Sequence, residues 1–425
     1  MKKVLFIAYL YPPIANSGTQ RSLKFANFLP DHGWEPIVLT IADPMPKYCE
    51  PSLLDEVRPG TRIERAPFSS SVLARRIASV MRGLVDPERL ESGLGWRLRR
   101  LRKIPDECAD WRPSAVRRAV KIFHNEGFDA IYASGWPWTA FLIAQEVSHK
   151  TGRPYLVDYR DLWKSTGTMA WEKQTLLQKW FGPGLERRVL RDASAIVTVT
   201  PSLVDTLRKS AGKVRVDCIT NGFDQGDFVR GQTPQPSDGD GLVRIVYTGV
   251  WRPGYGLEDL YEAIRQLKVS GFPQLHKLNV VAAGFAPGHA RRLGVDDIVQ
   301  EPGPIPHGEA IDLMCNASLL YLSVPKGFYA KASLPGKLFE YIASGRPVLA
   351  SVPPDSEVAA VLAKVGGALC VAPGNVQQLV DTLTKLCETG GQDIFTSLVP
   401  AAVAQYTRKS LTGKLATILD SMLCP

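Results

Sequence analysis

A chain of 425 residues, 45% of them hydrophobic, can bury a large core, and its length favours two domains over one. No apolar run reaches the roughly 20 residues a spanning helix needs, and Met1 to Ala8 leads into a strand pattern, so a soluble, cytoplasmic protein is expected. A formal charge of +9 implies an acidic partner, while seven cysteines and six histidines without metal or redox spacing point to reduced core residues and no metal site.

The first half alternates strand and helix patterns. Val4–Ala8, Pro36–Thr40, Ala130–Ser134, Tyr155–Asp158, Ile196–Thr200 and Val216–Thr220 read as strands. Helical patterns over Thr19–Leu29, Ser114–Asn125, Thr139–His149 and Trp171–Arg191 separate them, which predicts a parallel α/β sheet covered on both faces. After the first strand, YLYPPIANSG ends in Gly18 at a helix start, with Arg21 in its first turn; such a loop can be an anion site or a turn needing Pro and Gly for geometry. Between Ala74 and Lys103 nine basic residues face three acidic ones and are interleaved with apolar side chains, a pattern suited to an anionic membrane surface or to a solvated helix face.

At Val157–Trp163, VDYRDLW, two aspartates and an arginine stand at a strand's C-terminal end, where open α/β sheets place their sites. Asp161, Asp158 and Arg160 are candidates there, and an Asp–Arg pair capping the next helix is the plainer alternative. Polar, glycine-rich and proline-rich residues 229–241 read as a linker, so domains of 1–228 and 242–400 are expected, followed by a terminal helical segment at 401–425. The second domain repeats the pattern, with strands Val243–Tyr247, Leu278–Ala282, Ser318–Leu322, Pro347–Ala350 and Ala368–Val371. Asp238 and Asp240 form a D-x-D within the linker and read as a solvated turn.

The most informative stretch is KASLPGKLFEYIASGRPVLA, residues 331–350. Pro335 and Gly336 open a helix whose N–H groups and positive dipole end can hold a phosphate, and Lys337 adds charge. Glu340 follows one turn later, within reach of a ribose diol, and the helix stops at Gly345 before a buried strand.

Taken in order, the opening loop, DYRDLW, the NGFD turn at Asn221–Asp224, YTGVWR at Tyr247–Arg252, PGPIPH at Pro302–His307 and this corner resemble the GT-B-fold glycosyltransferases, specifically the large retaining family 4 of bacterial polysaccharide synthesis. The resemblance implies two Rossmann-like domains facing across a cleft, a nucleotide-diphosphate sugar as donor, a glycan or lipid-linked acceptor, and no metal or other cofactor. It implies that Gly18, Gly249, Arg252, Ser333, Leu334, Lys337 and Glu340 meet the donor. It assigns Arg21, Asp158, Arg160 and Asp161 to the sugar or acceptor, and Asp161, Arg252 and Lys337 to the chemistry. His307 is expected as a helix-start residue, and the terminal helix over Ala402–Leu423 as one that crosses back to the first domain. Two departures stand out: Tyr255 replaces a phosphate-binding lysine before Gly256, and Ala332 replaces the first of two glutamates spaced eight apart, leaving donor-sugar contacts to backbone near Ser333 and Leu334. A nucleotide-sugar epimerase or hydrolase and a non-catalytic carbohydrate-binding protein are the alternatives. No G-x-G-x-x-G follows the first strand and no nucleic-acid-binding module is present, so a nicotinamide enzyme and a nucleic-acid partner are not expected.

Overall fold

The computed structural model describes residues 1–45, 48–69, 104–163, 175–229, 241–249, 257–284, 288–324, 331–390 and 393–423. Arg252, Asp238, Asp240 and the basic stretch 74–103 lie outside the described residues. The chain divides into two compact units, Met1–Ile219 with Thr412–Pro425, and Thr220–Leu411.

In the first unit β1 (Lys2–Ala8), β2 (Trp34–Ile41), β3 (Arg62–Ala66), β4 (Ala130–Gly135), β5 (Tyr155–Tyr159), β6 (Ala195–Thr198) and β7 (Arg215–Cys218) form one parallel sheet of order β3-β2-β1-β4-β5-β6-β7. Helices α1 (Ser17–Phe28), α2 (Arg112–Glu126), α3 (Thr139–Thr151), α4 (Leu176–Asp192) and α5 (Pro201–Ala211) connect the strands. The strands bury both faces, which explains their near-continuous apolar runs. One face carries Leu5, Ile7, Ile131, Ala133 and Val157 into the main core. On the other, Phe6 stacks on Tyr132 at 4.2 Å, with Phe25 of α1 edge-on to Tyr132.

Two elements depart from sequence expectation. Strand β3, RIERA, carries charges at a sheet edge, where Glu64 pairs with Arg62 and with Arg118 of α2 instead of being driven out by desolvation. Strand β6 ends at Thr198, because Thr200 caps α5 by accepting the Leu203 N–H and Pro201 occupies the first turn.

The second unit holds α6 (Gln225–Val229), β8 (Val243–Thr248), α7 (Leu257–Val269), β9 (Leu278–Ala283), α8 (His289–Arg292), β10 (Val299–Gly303), α9 (His307–Cys315), β11 (Leu319–Ser323), α10 (Gly336–Ser344), β12 (Val348–Ser351), α11 (Glu357–Val365), β13 (Ala368–Val371), α12 (Val376–Thr389) and α13 (Pro400–Ala404). Its sheet, also parallel, runs β10-β9-β8-β11-β12-β13. Alternate residues feed two cores: Val246, Leu320 and Leu322 on one face, Ile245, Tyr247 and Tyr321 on the other.

The expected terminal helix is two helices, because Gln405–Thr407 interrupts it before α14 (Arg408–Ser421). At the break the Tyr406 carbonyl accepts the Phe223 N–H at 3.1 Å, and the Arg408 N–H donates to the Phe223 carbonyl at 2.7 Å. The NGFD turn is thus a structural clasp, and any Cβ at Gly222 would run into the Tyr406 carbonyl. From Thr412 onward α14 belongs to the first unit, where Asp420 accepts the Trp34 indole N–H at 2.9 Å.

Candidate active site

In the first unit, candidate residues gather where strand order reverses between β1 and β4, the position at which open α/β sheets leave room for a ligand. Asn16 caps α1 by accepting the Gly18 N–H at 3.0 Å. Arg21, on the next turn, lies over the Phe25 ring and donates to both Asp158 carboxylate oxygens, from Nε at 2.7 Å and from the guanidinium end at 3.0 Å. The Tyr132 hydroxyl donates to the same carboxylate. Burial alone would lower the Arg21 pKa, but the Asp158 charge and hydrogen bonds raise it on balance, so the guanidinium stays charged. Arg21 and Asp158 are only 1% and 0% exposed. Each is enclosed and occupied by the other, and they brace β5 against α1.

Arg160 and Asp161 differ from that pair. Arg160, half-buried, donates to the Gly135 and Trp136 carbonyls at the end of β4, and its guanidinium fills the space a side chain at position 18 would need. A side chain at position 18 would therefore have to displace that guanidinium. Burial lowers the Arg160 pKa, opposed by the Asp161 and Asp158 carboxylates. Asp161 is exposed at the strand end, so of the two aspartates it alone is presented to solvent.

In the second unit, Pro335 precedes α10 without a side-chain cap; its carbonyl accepts the Leu338 N–H at 3.1 Å, and the Gly336 and Lys337 N–H groups make no hydrogen bond among the described residues. Lys337 runs back to the end of β8, its Nζ 3.8 Å from the Tyr247 ring centroid and 3.8 Å from where a Cβ on Gly249 would stand. Gly249 adopts φ 122°, reserved for glycine, and its backbone closely approaches Gly284 at the end of β9. Desolvation brings the Lys337 pKa down to about 7, with Glu340 opposing the shift.

Glu340, one turn along, forms no hydrogen bond or ion pair among the described residues. Burial raises its pKa, His307 and Arg408 counter the rise, Asp227 adds to it, and Lys337 counters it. His307 opens α9, as expected for a helix-start residue, with Nε2 3.7 Å from the Asp227 carboxylate. Asp227 and Arg408 escaped sequence reading, since they are distant in the chain and carry no local pattern, and Tyr247 reads from the sequence only as the start of YTGVWR and not as the ring against Lys337. Leu334 is buried in the core, so only its backbone can serve a ligand, and Ser333 stands beside it half-exposed.

Two parallel-sheet Rossmann-like units, each with candidate residues beyond its strand ends, define a GT-B architecture. The sequence matches the family described as glycosyl transferase 4-like domain over residues 18–222 and glycosyl transferases group 1 over residues 243–389. These matches span most of the chain, which belongs to the glycosyltransferases. Similar solved structures include HepE from Anabaena in complex with UDP and glucose, at 15% identity and TM-score 0.64 over 99% of this chain and 100% of that one. Sucrose-phosphate synthase from Thermosynechococcus elongatus matches at 15% identity and TM-score 0.58, over 100% of this chain and 96% of that one. WaaG, a glycosyltransferase involved in lipopolysaccharide biosynthesis, matches at 13% identity and TM-score 0.52, over 99% of this chain and 98% of that one. No curated protein matches the chain in sequence. Among the described residues, no helix is long and apolar enough to cross a membrane.

Proposed function

We propose that the protein transfers a sugar from a nucleoside-diphosphate sugar to a glycan or lipid-linked acceptor during cell-surface polysaccharide synthesis, without a metal and with retention of anomeric configuration. The observation that carries the donor reading is Lys337, lodged against Tyr247 and Gly249 at the uncapped start of α10, with Glu340 unpaired among the described residues one turn away. HepE, whose structures contain UDP and UDP-glucose, supports the same donor class.

Lys337 and the helix N–H groups stabilise the charge that grows on the leaving diphosphate, already oriented before reaction, and Arg252 adds a second cation. Glu340 accepts the ribose hydroxyls. Backbone groups near Ser333 and Leu334 hold the donor sugar in place of the carboxylate that Ala332 lacks. Asp161 and Arg160 act on the transferred sugar or the acceptor hydroxyl.

The test is thermal shift with nucleoside diphosphates and their sugars, followed by product analysis. At least one nucleoside diphosphate should raise the midpoint by mass action, turnover should survive chelator, and the new linkage should keep the donor's anomeric configuration. Absence of any nucleotide stabilisation overturns the donor reading, and loss of turnover in chelator, restored by magnesium or manganese, overturns the metal-free one.

We also place the protein on the inner face of the plasma membrane, through the basic residues 74–103. Exposed Leu176, Trp180 and Phe181 on α4, followed by exposed Arg187, Arg188 and Arg191, supply a second surface of the same chemistry. Anionic vesicles should co-sediment the protein, and replacing Arg99, Arg100, Arg102 and Lys103 by glutamine should weaken that; equal binding to neutral vesicles overturns it.

A further inference from the structure

Within the first unit, beyond the ends of β1 to β4, lies a cavity of about 540 Å³ that the donor residues do not touch. This volume is in the range that encloses a small ligand. Half-buried Tyr9, Phe68 and Trp136 and exposed Tyr48 present rings to it, with Ile14 and Leu10 filling between. The rings form one cluster about Tyr9, whose centroid is 6.4 Å from Phe68, 6.5 Å from Trp136 and 5.5 Å from Trp111 behind it.

Exposed Glu107 and Asp110 contribute the charge, and no lysine or arginine stands among the described lining residues. These walls are held in place. Buried Asp106 accepts the Cys108 N–H at 2.9 Å and the Thr139 hydroxyl at 2.7 Å, fixing the turn that carries Glu107 and Asp110. Opposite, the Ala15 N–H donates to the Tyr48 carbonyl and the Glu50 N–H to the Pro13 carbonyl, both at 2.7 Å.

Flat apolar rings next to carboxylates match the two surfaces of a pyranose: C–H faces that pack on aromatic rings, and hydroxyls that donate to oxygen. The same carboxylates repel a phosphate or a uronate. We propose that this cavity binds an uncharged sugar ring of the acceptor, stacked on Trp136 and flanked by Tyr9, whose ring stands at 72° to it, with hydroxyls donating to Glu107 and Asp110. This rests on the glycosyltransferase reading and makes the group docked there a neutral glycan end, with any lipid phosphate held elsewhere.

The experiment uses the full chain and saturation-transfer NMR with methyl glucoside, methyl galactoside and N-acetylglucosamine, against glucuronate and glucose 6-phosphate. At least one neutral sugar should bind, with the anionic sugars weaker by about tenfold or more. Trp136→Ala should abolish neutral binding. The double variant Glu107→Gln/Asp110→Asn should narrow the gap between neutral and anionic sugars, an effect that a merely structural role would not produce. UDP affinity, measured by calorimetry on the same samples, should stay within about twofold, since these residues lie in the other unit from Lys337. Failure of every neutral sugar to bind, equal or tighter anionic binding, or neutral binding unchanged in Trp136→Ala overturns the proposal. Loss of UDP binding in the wild type would instead count against the donor reading.

Discussion

The Lys337 ammonium sits 3.8 Å from the centroid of the Tyr247 ring, so a helix-start lysine is stored against an aromatic face at a strand end. Desolvation there lowers its pKa from 10.5 to about 7. An incoming diphosphate favours the charged form, so above pH about 7 donor binding should take up a proton. Calorimetry in buffers of different ionisation enthalpy should show this uptake in the wild type and not in Lys337→Met; a buffer-independent enthalpy would exclude the contact. The stability sign is separate. Between about 7 and 10.5 the unfolded chain holds a proton that the folded one lacks, so this group's contribution to stability should rise with pH across that window.

Glu340 should govern nucleotide affinity. Charge-assisted hydrogen bonds to the ribose contribute about 1.5 to 3 kcal/mol, so Glu340→Ala should weaken UDP binding by about tenfold or more in a protein with unchanged circular dichroism. Because burial raises its pKa, wild-type affinity should fall as acidification protonates the carboxylate, at a higher pH than for an ordinary glutamate. Unchanged affinity in the folded variant removes Glu340 from the donor site.

Gly18 and Arg160 should behave as one unit. A methyl at Gly18 would displace the Arg160 guanidinium from the Gly135 and Trp136 carbonyls, at about 1 to 3 kcal/mol for the bonds broken. Gly18→Ala and Arg160→Ala should each lower the unfolding midpoint. Together they should cost less than their sum, and strict additivity would show that they do not meet.

Asp158 and Asp161 should separate stability from turnover. Asp158→Ala strands the buried Arg21 charge and should cost about 3 to 5 kcal/mol in denaturant unfolding. Asp161→Asn, at an exposed position, should leave the midpoint nearly unchanged and lower turnover by about 10² if it supplies acid–base chemistry, with UDP affinity preserved. A variant as active as the wild type would make Asp161 a capping residue.

Much of the frame is legible in the chain because it rests on short-range rules. Parallel strands buried on both faces read as apolar runs; Pro335 and Gly336 mark a helix start, and Gly345, at φ 73°, its stop. Where charge or proline interrupts a strand, the signal fails. RIERA of β3 and VQEPG of β10 are strands because neighbouring strands pair with their backbones, which no local pattern announces.

The sequence alone therefore determined the apolar strands and the periodic helices, and which strand ends and helix start carry polar groups, since backbone geometry and burial periodicity act within a few residues. Tertiary structure decided what those groups do. VDYRDLW cannot tell Asp158 from Asp161, because the choice lies with Arg21, 137 positions away, which reaches the one and not the other. In the same way, the aromatic and acidic walls of the first-unit cavity come from five separate stretches of chain. Pairing and desolvation depend on what the fold brings alongside, and that is set by packing among distant segments.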